Sequence, residues 1–302
     1  MSKKIAVVND LAGFGRCSLV ASISVISAMG VQPCPLPTVI LSAQTGFANY
    51  FYDDYTDNLG KIADEWKKMN AAFDGIMTGF MSCSDQIRII HRFLDSFHTD
   101  HNFLLVDPVL GDNGKRFTIF DEEFQKEMKK LVCRANIVTP NMTELCLLTG
   151  ADYREFRLAS EAGDNEQVRA LGEKAASVLL EKGVSEVVVT GLPLIDAVTR
   201  EKRVGNLLVR YKEKNDGVNL ENVLETELYE APFIGQSYSG TGDLFASVLA
   251  AGKAEGLETS QSIHCAQEFI QCSIRDAFAQ NIPGKEGVEY ERHLHMLRQY
   301  VE

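Results

Sequence analysis

Short β-branched runs that end in Gly, Pro, Asn or Asp recur along the chain, at 5–8, 75–77, 103–106, 136–138 and 187–189. Apolar runs this short, with no alternation, mark strands buried on both faces. Amphipathic stretches lie between them. At 85–97 and 166–180 the apolar residues return with the helical period, and Val168, Leu171, Ala175, Val178 and Leu179 share one face. Strand and helix alternating in this way imply βαβ units and a mainly parallel sheet covered on both sides. From 196 to 230 the pattern changes to strand-like pieces broken by Lys212-Glu213-Lys214-Asn215-Asp216-Gly217. That hexapeptide reads as a hairpin turn, so this section is expected to be antiparallel and near a sheet edge. Helical periodicity resumes near Gly240 and again over 258–279. With no internal repeat, low-complexity tract or Pro/Gly/Ser linker, residues 1–302 are expected to form one domain.

Composition narrows the class. In 302 residues, 45% of them hydrophobic, there is ample material for a core without disulfides or structural metal. The seven cysteines form no CxxC pair and have no metal-like spacing, so they read as thiols in a reducing cytoplasm. Lys3 and Lys4 precede an apolar run too short for a signal peptide, and no stretch approaches the roughly 18–20 apolar residues of a membrane span. A soluble, cytoplasmic protein is expected. A formal charge of −12 argues against nucleic acid and anionic membrane as partners. It does not exclude a nucleotide, whose few phosphates can be held by backbone N–H groups and a metal ion.

In an open parallel sheet, ligands bind beyond the carboxyl ends of the strands. The residues that fall there are Asn9-Asp10, Asp107-Pro108-Val109-Leu110-Gly111-Asp112, Thr139-Pro140-Asn141-Met142-Thr143-Glu144 and Thr190-Gly191. A later segment, Ser239-Gly240-Thr241-Gly242-Asp243, runs into a helix. Its glycines let the backbone approach a phosphate, and a helix start offers unpaired N–H groups and a positive dipole end. Asp243, in the first turn, is placed to take a proton from an attacking hydroxyl. Each motif has a plainer alternative. Ser239 or Thr241 could simply cap a helix, Asp107 to Asp112 could be a turn, and Asn141 with Glu144 is the pattern of a capping box. Taken singly, the first and last of these favour the plainer reading.

Other motifs are incomplete. Gly13-Phe14-Gly15 lacks the last glycine of a dinucleotide fingerprint, because Ser18 stands there, and no acidic residue follows about 20 positions on. Gly235 and Gly240 have P-loop spacing, but Thr241 replaces the required lysine. The six histidines lie away from the strand ends, so neither a Ser/His/Asp triad nor a zinc site is supported.

Taken in order, the segment from Asn9-Asp10 to Gly15, the run Thr38-Val39-Ile40-Leu41-Ser42-Ala43-Gln44-Thr45-Gly46-Phe47, and those at Asp107, Thr139, Val187 and Gly240 resemble the ribokinase-like superfamily and, within it, the pyridoxal kinase branch. The resemblance covers nearly the whole chain. It implies an α/β fold, a three-layer α-β-α sandwich with a mainly parallel central sheet and an antiparallel edge. It also implies ATP and Mg²⁺ as cosubstrates and transfer to the 5′-hydroxymethyl group of a B6 vitamer (pyridoxal, pyridoxine or pyridoxamine). By position Asp243 matches the family's base, and Gly240, Thr241 and Gly242 its anion hole. Asp10, Ser42, Thr45, Gly46 and Phe47 match the vitamin contacts, and Asp112, Asn141, Glu144, Thr190 and Gly191 the nucleotide region. Asp107 and Glu144 match the metal side. A homodimer is implied as well.

The sequence departs from that branch at Asp10, where Ser is common, and at Ser42-Ala43-Gln44-Thr45, where a Ser-x-His-Thr run is usual. A hydroxymethylpyrimidine kinase shares the fold, the short first loop and much of the motif order. A sugar kinase fits less well, since the chain has no Gly-Gly pair and no room for an early β lid. A non-catalytic ligand-binding protein of the same fold is a further alternative. The segment 47–57, rich in tyrosine, reads as an aromatic flap or a subunit contact.

Overall fold

The computed structural model describes residues 2–215 and 220–301. The chain forms two compact units, Met1–Asp107 together with Ile234–Glu302, and Pro108–Phe233.

The first unit opens with β1 (Lys4–Ala12), α1 (Ser18–Ala28), β2 (Gln32–Leu41), β3 (Tyr52–Asp54), α2 (Thr56–Lys68), β4 (Gly75–Thr78), α3 (Ser84–Phe97) and β5 (Phe103–Val106). Its strands run in the order β5-β4-β1-β2-β3. All neighbours are parallel except β3, which lies antiparallel on β2. Ile5, Ala6, Val7 and Val8 are wholly buried, as are Ile76, Met77, Leu104, Leu105 and Val106. The unalternating apolar runs are thus strands covered on both faces, and β5 has the bounds the pattern predicts.

No sequence pattern announced β2, because Pro33, Pro35 and Pro37 interrupt it. The register explains how it forms. Gln32 donates its N–H toward β1, so with period-two alternation the three prolines put their missing donors on the opposite side. There β3 pairs only with Val39, Ile40 and Leu41. No ladder bond is lost.

The second unit contains β6 (Gly111–Asp112), β7 (Lys115–Arg116), α4 (Glu122–Val132), β8 (Ile137–Val138), α5 (Met142–Thr149), α6 (Tyr153–Ala162), α7 (Asn165–Leu180), β9 (Glu186–Ile195), β10 (Lys202–Asn215) and β11 (Leu220–Pro232). β8 and β9 are parallel, whereas β9, β10 and β11 are antiparallel. The antiparallel edge therefore stands where the change of pattern predicts it. Asp216 and Gly217 of the predicted turn lie outside the described residues, and the ladder flanking it pairs Asn215 with Leu220. The buried face of α7 differs in part from the expected one. Val168, Gly172, Ala175, Ala176 and Leu179 are buried, while Leu171 and Val178 are only half-buried. Leu207 of β10 packs at Gly172, where a Cβ would lie 2.9 Å from its methyl carbon. Small residues on this face let the helix sit close to the sheet.

The first unit resumes with α8 (Thr241–Glu255), α9 (Thr259–Ala279) and α10 (Leu294–Arg298). The fold is mixed α/β with a mainly parallel sheet and an antiparallel edge, as expected. No helix among the described residues is long and apolar enough to cross a membrane, and the cysteines are free thiols.

Candidate active site

Asp243 lies in the first turn of α8. That helix begins at Gly240, which has φ +82°, and no side chain caps it. The Thr241 hydroxyl donates backward to the Tyr238 carbonyl at 3.1 Å. Capping by Ser239 or Thr241 is therefore not realised, and the first-turn N–H groups meet no capping side chain. Only glycine fits at 240. The left-handed backbone disfavours any Cβ, and one placed there would overlap the Arg16 carbonyl oxygen and lie 2.9 Å from Cys17 Cα. Gly242 is different, because a Cβ there meets nothing nearer than Asp107 Oδ2 at 3.9 Å.

The Asp243 carboxylate also sits at a second helix start. The Ser18 N–H, at the first position of α1, donates to its Oδ2 at 2.8 Å, and Asn9 Nδ2 donates to its Oδ1 at 2.9 Å. Burial raises the Asp243 pKa, and these two hydrogen bonds oppose the rise. Burial thus makes this carboxylate a better proton acceptor than a solvated one, while the two donors favour its charged form. Next to it, Asp10 is buried. Burial, then the charge of Asp243, pushes its pKa from 3.8 up to about 7. Cys17, also buried beside Asp243, is pushed up to about 12 and stays a neutral thiol.

The residues expected around the substrate form one loop system. The Ser42 hydroxyl accepts from the Phe51 N–H at 2.8 Å. Gln44 is buried, accepts from the Gly46 N–H at 2.8 Å and donates to the Lys285 carbonyl. Phe47 meets Phe14 edge-on at 5.3 Å, and Lys285 Nζ stands 5.0 Å from the Phe47 ring centre. Thr45 and Gly46 are exposed. Gly13 and Gly15, which invited a dinucleotide reading, pack against this loop instead: their Cβ positions fall 3.2 Å from the Ser42 oxygen and 2.9 Å from Gln44 Cγ. The C-terminal segment ties the system down. Arg16 Nε donates to Glu291 at 2.8 Å, and its guanidinium lies 3.6 Å from Glu289. Tyr50, Phe51 and Tyr52 are exposed at and before β3.

In the second unit the predicted residues are held by one another. Asn141 caps α5, and Glu144 returns a bond to the Asn141 N–H at 2.9 Å, completing a capping box. The other Glu144 oxygen accepts from the buried Leu110 N–H at 3.1 Å, and Asn141 Nδ2 donates to the Gly111 carbonyl at 3.0 Å. Asp112 is exposed and holds the Asn113 N–H at 2.8 Å. Thr190 forms a bridge with Asn141 and donates its N–H to the Pro140 carbonyl. Thr190 and Gly191 together oppose Asn206, since Val189 pairs with Leu207 and Leu192 with Gly205. This is a bulge, permitted by Gly191 at φ +67°, whose N–H donates to the Asn206 side chain at 3.4 Å. Among the described residues no group of three or more His, Cys, Asp or Glu side chains gathers as a metal cage. Asp107, after β5, is half-buried, and its N–H donates to the Thr78 carbonyl.

Three residues of this arrangement were not singled out as site candidates by the sequence. Asn9 was seen only as Asp10's neighbour, Gln44 only as a departure from a pattern, and Lys285 not at all. The asparagine had a signal, a polar residue ending a buried strand; Lys285 had none.

The mixed α/β fold, with its mainly parallel sheet and antiparallel edge, is that of the ribokinase-like phosphotransferases. A model of the phosphomethylpyrimidine kinase family matches residues 17–287, and the chain belongs to that family. A candidate phosphomethylpyrimidine kinase from Bacteroides thetaiotaomicron, crystallised with pyridoxal, is 34% identical, with 98% of this chain and 96% of that one covered and a TM-score of 0.84. Pyridoxal kinase from Leishmania donovani, in complex with ADP and pyridoxamine, shares the fold at 18% identity and a TM-score of 0.82, over 98% and 96% of the two chains. Pyridoxine kinase of Bacillus subtilis is 26% identical over 208 residues, 69% of this chain and 66% of that protein, so the match spans just under two thirds of this relative.

Proposed function

We propose that the protein transfers the γ-phosphoryl group of ATP to the 5′-hydroxymethyl group of a B6 vitamer, with Asp243 as general base. The observation that carries this is the Asp243 carboxylate, gripped by Asn9 and Ser18 in the first turn of an uncapped helix. The substrate hydroxyl attacks the γ-phosphorus in line and gives its proton to Asp243. The N–H groups at Gly240, Thr241 and Gly242 hold the transferring oxygens. Most of the rate enhancement comes from positioning and fixed dipoles. Thr190 and Gly191, on the bulge, serve the nucleotide through backbone, with Asp112 and Asn141 toward its phosphates. Mg²⁺ that arrives with ATP needs one or two carboxylates rather than a cage, and by family position Asp107 and Glu144 are the carboxylates assigned to it. When bound, the ion would neutralise charge on the phosphate oxygens.

Asp10 supports the vitamer. A buried carboxylate that faces a protonated pyridine nitrogen gains a charge-assisted hydrogen bond, and Ser42, Thr45, Gly46 and Phe47 line the ring. A homodimer and a cytoplasmic location belong to the same proposal. A second substrate, hydroxymethylpyrimidine, is favoured by the likeness to a hydroxymethylpyrimidine/phosphomethylpyrimidine kinase of Bacillus subtilis, 25% identical over 204 residues. The decisive assay follows ADP release from ATP and Mg²⁺ with pyridoxal, pyridoxine, pyridoxamine, hydroxymethylpyrimidine or ribose. The highest kcat/KM is expected with a B6 vitamer. Preference for hydroxymethylpyrimidine would move the assignment to the second substrate, and no turnover with any of them would leave a binding protein.

A further inference from the structure

Asn9 is fully buried within β1, where the register with β2 shifts, and none of its polar atoms faces solvent. Its Oδ1 accepts from two backbone N–H groups, Asp10 at 3.0 Å and Phe80 at 2.8 Å. Both donors are fixed by the main chain, so the oxygen of the amide is assigned by its neighbours, and the NH₂ must point the other way. There it donates to Asp243 Oδ1 at 2.9 Å. The opposite carboxylate oxygen is held by the Ser18 N–H, and Ser18 adopts φ +58°, a conformation disfavoured for a residue with a Cβ. A strained amide on one side and a locked side-chain amide on the other thus grip the carboxylate.

We propose that Asn9 is a positioning residue for phosphoryl transfer. It anchors Asp243 to β1 and to the segment that follows β4, sets the direction of the carboxylate, and favours its ionised form in surroundings that favour its protonation. This rests on the reading of Asp243 as the base. The titratable groups about Asp243 are Asp10, the Cys17 thiol and Asp107, whose Oδ2 lies 3.9 Å from the Cβ position of Gly242; Cys17 is neutral, and Asp10, raised to about 7, is about half ionised near pH 7, so its charge opposes that of Asp243. Asn9 and the Ser18 N–H are therefore the donors that favour the charged form of the base.

The test is Asn9→Asp, which keeps an acceptor for the Asp10 and Phe80 N–H groups and replaces the donor that faces Asp243 with an oxygen. Two carboxyl oxygens then share one proton, and the base is occupied at neutral pH. The expected result is a kcat about 10- to 100-fold lower at pH 7, an acid limb of the kcat–pH profile displaced upward by about one unit or more, and a KM for ATP within about threefold of wild type. A purely structural Asn9 would lower the melting temperature and kcat without moving the limb, and an unmoved limb overturns the proposal.

Should Asn9→Asp fail to fold, Gly79→Ala carries the same test. A Cβ at 79 would stand 2.7 Å from Asn9 Cγ, displacing the amide while leaving Asn9 and Asp243 unaltered in identity. The same upward shift, smaller in size, is expected, and a wild-type limb overturns the proposal. Failure of the underlying reading is distinguishable. If Asp243→Asn retains wild-type kcat, Asp243 is not the base. If Asp243→Asn is inactive while both other variants keep the wild-type limb, Asp243 is the base and Asn9 does not position it.

Discussion

The carboxylates of the two units are held in opposite ways. In the second unit Glu144 spends both oxygens on backbone N–H groups, from Leu110 and Asn141, and Asp112 folds back on Asn113. Their bonds are local and serve the shape of a loop and the start of α5. In the first unit Asp10 and Asp243 lie close together under protein, each with a pKa raised by burial, and the groups that hold Asp243 come from positions 225 and 234 residues away in sequence. Such an arrangement destabilises the folded chain, and it persists where chemistry requires it. The difference assigns tasks. In the proposed function the first unit carries proton transfer and the second presents backbone to phosphates.

The largest expected effect breaks the first region outright. Asp243→Asn should lower kcat by roughly 10² to 10⁴ with modest change in KM, because the base acts only in the transition state. The amide keeps the shape and can still accept from Asn9 or Ser18, so folding should survive. Steady-state kinetics beside a thermal melt checks both halves, and near-wild-type kcat would remove Asp243 from the role.

Much of both regions was readable, though not evenly. The run 103–106 and the Asn141–Glu144 capping box were visible because each is decided by neighbours in sequence. Asp243 was readable as a candidate but not separable from a helix cap, since the deciding facts are the left-handed Gly240 and the contact of that glycine with Arg16 and Cys17. The β2 strand was hidden because its prolines count against a strand unless one knows which side is unpaired. Lys285 and the Arg16 clamp were beyond reach for a simple reason: contacts across more than 240 residues leave no periodicity in either segment.

Two substitutions sharpen the comparison within the first unit. Gly242→Ala has room, with its nearest neighbour at 3.9 Å, and replaces a helical glycine by a better helix former. Stability should rise by about 0.5–1 kcal/mol while kcat falls about tenfold or more, because the methyl group occupies the place proposed for the transferring oxygens. Gains in both would separate Gly242 from the anion hole. Asp10→Asn is expected to raise the KM for the vitamer about tenfold by removing the charge opposite the ring. It also has a pH signature. Asp10 holds its proton up to about pH 7 in the folded chain but only to about 3.8 when unfolded. Its ionisation therefore costs stability increasingly as pH rises from about 4 to 7. The asparagine variant escapes that cost, so it should be more stable than wild type by about 4 kcal/mol at pH 8 and show little gain at pH 4. Urea titrations at the two pH values measure this. A KM unchanged by the substitution would sink the pairing with the ring.

The smallest kinetic effect is expected in the second region, and it is there that the comparison is most exposed. Glu144→Ala leaves the buried Leu110 N–H without its acceptor and opens the capping box of α5. Loss of a cap and of a buried acceptor each costs about 1 kcal/mol or more, so a destabilisation of about 2 kcal/mol is expected. Because Glu144 also stands near the proposed phosphate and metal side, KM for ATP should rise a few-fold, with kcat reduced less. Glu144→Gln keeps an acceptor for one of the two N–H groups and should recover part of the stability. If Glu144→Ala instead lowers kcat by 10² or more with an unchanged melt, its carboxylate serves the reaction directly. The contrast between a catalytic first unit and a backbone-presenting second unit then fails.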